Sequence, residues 1–190
     1  MRVVAGEFKS RPLKAPTWEG LRPTSDRLRE TLFNVLGPGV EGARVLDGFA
    51  GTGAIGIEAL SRGAAHVTFV ERDPRAVRLI EENLARVLPA ADGARRGGHE
   101  RYAIIRAGFD EAARRLAGAF DIIVLDPPYA AGAVPDALDA AARLTDPATR
   151  LVIEHAKRYP PPIAHAGLRW LRTVVSGDSA LSFFGVADER

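Results

Sequence analysis

Asp47-Gly48-Phe49-Ala50-Gly51-Thr52-Gly53-Ala54-Ile55-Gly56 is the stretch whose reading decides the fold. Arg44–Asp47 reads as a short apolar strand leading into it, and Ala54–Arg62 reads as a helix leading out, stopped by Gly63. Glycines are needed between the two because the chain turns sharply there and its backbone must approach a ligand closely. Gly51-Thr52-Gly53-Ala54-Ile55-Gly56 satisfies the dinucleotide fingerprint letter for letter. Glu71 follows Gly51 by twenty positions, at the end of a second strand, where a carboxylate can meet a ribose hydroxyl. A nicotinamide dinucleotide and S-adenosylmethionine both fit this arrangement.

Working outward, strands and helices alternate. His66–Val70 is predicted as a strand, and Asp73-Pro74 caps and opens a helix whose stripe is Val77, Ile80, Leu84, Val87 and Leu88. Residues 89–100 are polar and rich in small residues, so a loop is expected. Tyr102–Arg106 is a strand and Phe109–Leu116 a helix. Phe120–Leu125 is continuously apolar, as a strand buried on both faces must be. A helix near Val134–Leu144 and a strand at Arg150–Glu154 follow. This alternation implies a mostly parallel sheet covered by helices on both faces. Tyr159-Pro160-Pro161-Pro162 then breaks the pattern, and Leu168–Val175 and Ser179–Val186 read as two strands joined by Gly177-Asp178. That dipeptide is a hairpin signal, so the last strand should run antiparallel.

Upstream, Val3–Leu13 reads as a strand or hairpin and Pro16–Pro23 as a loop. Thr24 or Ser25 can cap a helix from Asp26 that presents Leu28, Leu32, Val35 and Leu36 on one face. Gly37-Pro38-Gly39 ends it. The expected organisation is a small N-terminal extension over residues 1–42 and an α/β domain over residues 43–190.

Composition narrows the function classes. A chain of 190 residues without cysteine can hold neither a disulfide nor a thiolate metal site. His66, His99, His155 and His165 show no ligand-like spacing, so no metal is expected. The N-terminus lacks an apolar leader and no run is long enough to span a bilayer, so a cytoplasmic protein without membrane contact is expected. Net charge is only +2, yet residues 1–40 carry seven basic residues against four acidic ones. Arg2, Lys9, Arg11, Lys14, Arg22 and Arg27 are the candidate contacts for a polyanion, and each equally suits a solvated surface.

Two details favour S-adenosylmethionine over a dinucleotide. Asp47 ends the first strand, where its carboxylate can face the cofactor's amino group but would repel a pyrophosphate. The second detail is Asp126-Pro127-Pro128-Tyr129, which follows the buried fourth strand and so borders the ligand crevice. Each proline holds its predecessor extended, which stiffens the turn and leaves backbone carbonyls without competing local donors. An amino group about to be methylated needs such fixed acceptors, and Tyr129 can stack on an extruded base. An ionised aspartate only accepts hydrogen bonds, which suits guanine, whose N2 amino group lies beside the N1–H donor. The bland alternative is a rigid turn whose aspartate caps the next helix. After the third strand, Phe109 can pack on an adenine ring or simply belong to the core.

These residues resemble the bacterial 16S ribosomal RNA guanine-N2 methyltransferase family. The likeness runs through Met1–Gly6, Leu21–Glu30 with Leu32-Phe33-Asn34, Asp47–Gly56, Glu58–Ala64, Val70-Glu71 and Asp126–Tyr129. It implies a Rossmann-like class I methyltransferase with a seven-stranded, mostly parallel sheet and an antiparallel last strand. The implied activity is transfer of a methyl group from S-adenosylmethionine to a guanine amino nitrogen of ribosomal RNA, in the small subunit or its assembly intermediate. The cofactor contacts expected are Asp47, Phe49, Ala50, Gly51, Thr52, Gly53, Glu71, Arg72 and Phe109, and the catalytic turn is Asp126, Pro127, Pro128 and Tyr129. The chain departs from the family pattern at Gly108, where an acidic residue is frequent, and at Ser176-Gly177, where tyrosine-glycine is usual. The rival readings are methylation of another amino group (adenine N6 or a protein side-chain amide), a nicotinamide-dependent oxidoreductase, and a catalytically silent RNA-binding protein.

Overall fold

The structure is a computed structural model that describes residues 1–19, 21, 24–88, 101–128, 130 and 132–187. Five parallel strands form its body: β1 (Arg44–Asp47), β2 (His66–Glu71), β3 (Tyr102–Arg106), β4 (Ile122–Leu125) and β5 (Arg150–Ala156). Three more follow, β6 (Ala164–His165), β7 (Leu168–Ser176) and β8 (Ser179–Val186). The sheet order is β3-β2-β1-β4-β5-β8-β7-β6, with β8 antiparallel to both β5 and β7. The sheet thus has eight strands where the family likeness implied seven. The extra one, β6, exists because Ala166 (φ 51°) and Gly167 (φ 77°) both take left-handed backbone. That pair makes the tight turn of a two-residue hairpin, which no Asn-Gly or Asp-Gly signal announced. Beyond Trp170, no described strand lies along the outer edge of β7.

The helices are α1 (Asp26–Leu36), α2 (Ala54–Ser61), α3 (Pro74–Val87), α4 (Phe109–Arg115) and α5 (Ala133–Ala142). Of the two caps proposed for α1, Ser25 is the one used: its side chain accepts from Leu28 N–H. Asp73 caps α3 in the same way through Arg75 N–H. On one face of the sheet Val3, Phe8, Leu28, Leu32 and Phe33 pack with Ile57, Leu60, Ile80 and Leu84. On the other, Phe109, Ala112, Leu138 and Ala141 pack on Leu46, Ile123 and Ile153. Residues before and after position 42 therefore share one core.

The first thirteen residues fold back on themselves as a minimal hairpin: Val3 N–H donates to Arg11 O (3.0 Å), Ser10 N–H to Val3 O (2.9 Å) and Leu13 N–H to Met1 O (3.1 Å). Among the described residues only an isolated bridge, Arg2 with Pro12, has strand character there. Other amides of the arm reach α2. Val4 N–H and Ala5 N–H donate to the two oxygens of Glu58 (2.7 and 2.9 Å), and Phe8 N–H donates to Ser61 Oγ (2.9 Å). Glu58 lies fully buried in α2, also accepts from Arg62 Nε at 2.9 Å, and has the buried guanidinium of Arg29 at 3.5 Å. Arg29 in turn donates to Arg2 O at 2.7 Å and to Asp26 Oδ1 at 2.6 Å.

Glycine is required at two points of the loop that opens α2. Gly53 precedes the helix in left-handed backbone (φ 76°). Gly56 lies inside it, where a Cβ would stand 2.2 Å from Phe69 Cε1 and 2.8 Å from Val67 Cγ1. The third glycine of the fingerprint thus allows α2 to lie directly on β2. Gly108 has open space where a Cβ would go. Gly56→Ala is expected to lower unfolding free energy by about 1–3 kcal/mol, while Gly108→Ala stays near neutral, as urea unfolding of the two variants would show.

Candidate active site

The carboxyl ends of β1, β2, β3, β4 and β5 open into one cavity of about 670 Å³, within the range that holds small ligands. Its wall includes Phe49, Ala50, Gly51, Thr52, Glu71, Arg72, Phe109, Asp126, Pro127 and Pro128. Most of the expected cofactor contacts and three of the four turn residues therefore meet here. Tyr129 and Arg22 lie outside the described residues. Gly53 does not reach the wall.

Asp47 departs from expectation. It does not line the cavity, and its Oδ2 accepts from Gly56 N–H at 3.0 Å, inside the molecule. The strand ends with this carboxylate aimed along α2, where the N-terminal amides of the helix give it a partner. Burial pushes its pKa up to about 7; the Gly56 hydrogen bond opposes the rise and the nearby Glu71 carboxylate adds to it. Glu71, at the end of β2, lines the cavity where Asp47 does not. It accepts from Gly51 N–H through Oε2 (2.9 Å) and from Asp73 N–H through Oε1 (2.8 Å), so it is held rigidly with acceptor capacity to spare. Phe49 and Phe109 stand 5.3 Å apart at a 41° tilt, both in the wall. Phe109 is also core, packed where a Cβ at Gly48 would strike it at 2.8 Å.

At the turn after β4, Pro128 O accepts from Ala130 N–H at 2.7 Å, so not every carbonyl of the turn lacks a local donor. Asp126 is half-buried beside Glu154 of β5. The parallel register pairs Leu125 with Ile153, and the next residues on each strand are these two acids. Burial, then Glu154, then Asp47 hold the Asp126 carboxyl well above the usual carboxylate range. Asp126 therefore does not stand alone at the turn: a second carboxyl group, Glu154, lies beside it in the cavity wall.

Several wall residues escaped sequence reading. Trp18 and Leu21 come from the loop before α1, and the Arg75 guanidinium lies 5.2 Å from the Trp18 ring centre. A lone tryptophan in a polar loop was the available signal for the first. Glu154 and Ser179 enter from β5 and β8. For Glu154 the available signal was its place near the carboxyl end of a parallel strand, where such sheets bind ligands. Among the described residues no group of three or more His, Asp or Glu side chains is placed to hold a metal ion, and no helix is long and apolar enough to cross a membrane.

The basic residues of the arm divide. Arg2, Lys9 and Arg27 surround a second hollow of about 330 Å³ with Ser10, Asp26 and Glu30. Arg11 instead donates to Val87 O and lies 5.3 Å over Phe8, and Lys14 pairs with Glu82 of α3.

A five-stranded parallel body, a glycine-rich first turn, an acidic second strand end and an antiparallel final strand together define the α/β methyltransferase fold. Comparison with known proteins takes this further: the chain belongs to the family described as "Conserved hypothetical protein 95", whose model matches residues 1–185. "Putative rRNA methyltransferase YlbH" of Bacillus subtilis is 43% identical over 68% of the chain and 67% of its own length. "Ribosomal RNA small subunit methyltransferase D" of Escherichia coli is 35% identical over 73% of the chain and 65% of its own length. The matches thus span about two thirds of these relatives. Among solved structures, "Putative methyltransferase yhhF from Escherichia coli" superposes with a TM-score of 0.82 at 26% identity, covering 100% of this chain and 99% of that one. The resemblance read from the sequence is borne out.

The buried Asp47 carboxyl binds its proton more tightly in the folded chain than in the unfolded one, so its contribution to stability must fall as pH rises from about 4 towards 7. At about 1.36 kcal/mol per pKa unit the full loss is roughly 4 kcal/mol at most. Asp47→Asn keeps an acceptor for Gly56 N–H without that titration. Urea unfolding across pH 4 to 8 should show a shallower decline for the variant; equal slopes would mean that the carboxyl is already ionised.

Proposed function

We propose that the chain transfers a methyl group from S-adenosylmethionine to the exocyclic N2 amino group of a guanine in small-subunit (16S) ribosomal RNA. The observation that carries this reading is the position of Asp126-Pro127-Pro128 in the wall of the same cavity as Glu71 and the glycine loop. The names of the two curated relatives support ribosomal RNA as substrate.

S-adenosylmethionine fits the cavity by the chemistry of its wall. Glu71 is positioned to accept from ribose hydroxyls, Phe49 and Phe109 offer apolar surface to a purine, and Arg72 follows Glu71 at the rim. The acids Asp126 and Glu154 favour a cation and disfavour a pyrophosphate, which speaks against the nicotinamide alternative. When bound, the cofactor supplies an electrophilic methyl on a positively charged sulfur. The protein's own part is to place the guanine amino group and relieve it of charge. Asp126 accepts one N–H of that group, which fixes the direction of the nitrogen lone pair. The proton shed by the methylated nitrogen passes to the same carboxyl. Tyr129 is proposed to stack on the base.

Residues 1–42 are proposed as the extension that engages RNA, and residues 43–190 as the methyltransferase domain. Arg2, Lys9 and Arg27 are the phosphate contacts favoured here, because their hollow leaves them on the surface while Arg11 and Lys14 are committed to α3. The proposed place of action is the cytoplasm, on the small subunit or its assembly intermediate.

The test is single-turnover methyl transfer to unmodified small-subunit particles at saturating cofactor, followed by nucleoside mapping. N2-methylguanine is the expected product. Methyl on adenine or on a protein amide would replace the guanine reading. Asp126→Asn should bind S-adenosylmethionine yet react slower by about 10²-fold or more, the effect of losing one transition-state contact. Lys9→Glu with Arg27→Glu should weaken RNA binding and reduce its salt slope by about one per lost phosphate contact, leaving cofactor affinity unchanged. An unaltered salt slope would move the RNA to another face.

A further inference from the structure

Three carboxyl groups gather at the tips of three neighbouring strands: Asp47 on β1, Asp126 after β4 and Glu154 on β5. Asp47 and Glu154 are 2% and 7% exposed, and Asp126 and Glu154 both face the cavity. Asp126 and Glu154 each follow the register pair Leu125–Ile153, so the two carboxyl groups stand side by side on neighbouring strands in the wall of the same cavity. Like charges so close, in a site largely removed from water, cannot both be ionised without a counter-charge. The cations of the cavity wall are Arg72 and Arg75, and Arg75 is engaged with Asp73. Glu71 brings a further negative charge towards Asp47. On the far side of β5, His155 is turned away to Ser182 Oγ and Ala156 O.

We propose that Glu154 is a positioning residue of the methyl-transfer site: it holds one proton jointly with Asp126 and the pair surrenders that proton when a sulfonium cation enters the cavity. This inference rests on the methyl-transfer reading above. In the free protein the shared proton keeps the two acids from repelling each other. With a positive sulfur nearby the counter-charge is supplied by the ligand, and the pair can exist fully ionised. Asp126 therefore becomes an acceptor able to take the guanine proton only when the methyl donor is in place. The balance is simple: one proton leaves the carboxyl pair for solvent on cofactor binding, and one proton returns from the substrate nitrogen after methyl transfer.

An opposite charge within about 4–6 Å lowers a carboxyl pKa by roughly 1–3 units, which is enough to release up to about one proton near neutral pH. The experiment compares S-adenosylmethionine with S-adenosylhomocysteine, which has the same ribose, adenine, amino and carboxylate groups but a neutral sulfur. Titration calorimetry in buffers of different ionisation enthalpy counts the protons released by each. The native chain should release more with S-adenosylmethionine, and its affinity should rise with pH more steeply, by up to about tenfold per pH unit at one extra proton. Glu154→Gln should erase that difference while S-adenosylhomocysteine still binds, and Asp126→Asn, which removes the other half of the pair, should erase it too. Asp47→Asn, which removes a weaker influence on Asp126 than Glu154, should reduce the difference without erasing it. Equal proton counts for the two ligands in the native chain overturn the proposal, as does a difference that survives in Glu154→Gln or Asp126→Asn or is lost in Asp47→Asn. If neither ligand binds the native chain, the methyl-transfer reading falls and takes this inference with it.

Discussion

The carboxylate of Glu58 is the constraint on which the arrangement depends. It is fully buried, and a buried charge persists only if its partners are supplied by the fold. Here they come from three separate pieces of chain: the amides of Val4 and Ala5, the guanidinium of Arg29 in α1, and Arg62 at the end of α2 itself. Losing both guanidinium partners would leave the carboxylate as an uncompensated buried charge, a cost of about 3–5 kcal/mol in comparable sites. The arm, α1 and α2 are therefore fixed together or not at all. Since α2 begins at the glycine loop, the same ion pair that holds the arm also sets the helix whose amino end borders the cavity.

The site above α2 is organised by acids of three different kinds. Glu71 is satisfied by two backbone amides and remains available to a ligand. Asp47 is sunk against Gly56 N–H. Asp126 stands beside Glu154 across two adjacent strands. The chemistry is the same throughout, and the environment separates the roles: two backbone amides fix the direction of Glu71, while burial and a like charge favour the protonated form at Asp126. Parallel strands make this possible. They end side by side on one face, so residues distant in sequence arrive at hydrogen-bonding distance there.

Much of the fold was legible because its signals are local. The Ser25 and Asp73 caps, the Gly37 stop, the Pro74 start and the unbroken apolar run of β4 each follow from one or two neighbouring residues. The glycine loop was legible for the same reason. What escaped depended on partners far along the chain. Val3–Leu13 was legible as a hairpin, but the amides of Val4, Ala5 and Phe8 go to Glu58 and Ser61, more than fifty positions away. Asp47 was correctly placed at a strand end, but its direction is set by the amide of Gly56. Glu154 is an ordinary strand residue until β4 is laid beside it. Arg11 and Lys14 look like free surface cations in sequence and are tied down by α3 in space.

The short β6 leaves most of the outer rim of β7 uncovered among the described residues, and that rim carries a solubility burden. An open strand edge presents unpaired amides and carbonyls that a second chain can join, the usual starting point for sheet-to-sheet aggregation. β7 has two defences: arginines at 169 and 172, and a register irregularity between Trp170 and Arg172 that interrupts a flat template. Leu171, between the arginines, and Val175, beyond them, remain half-exposed. The balance between those charges and the apolar residues decides whether concentrated protein stays dispersed. A change that is silent in the cavity, such as loss of one of these arginines, would then be felt first as precipitation.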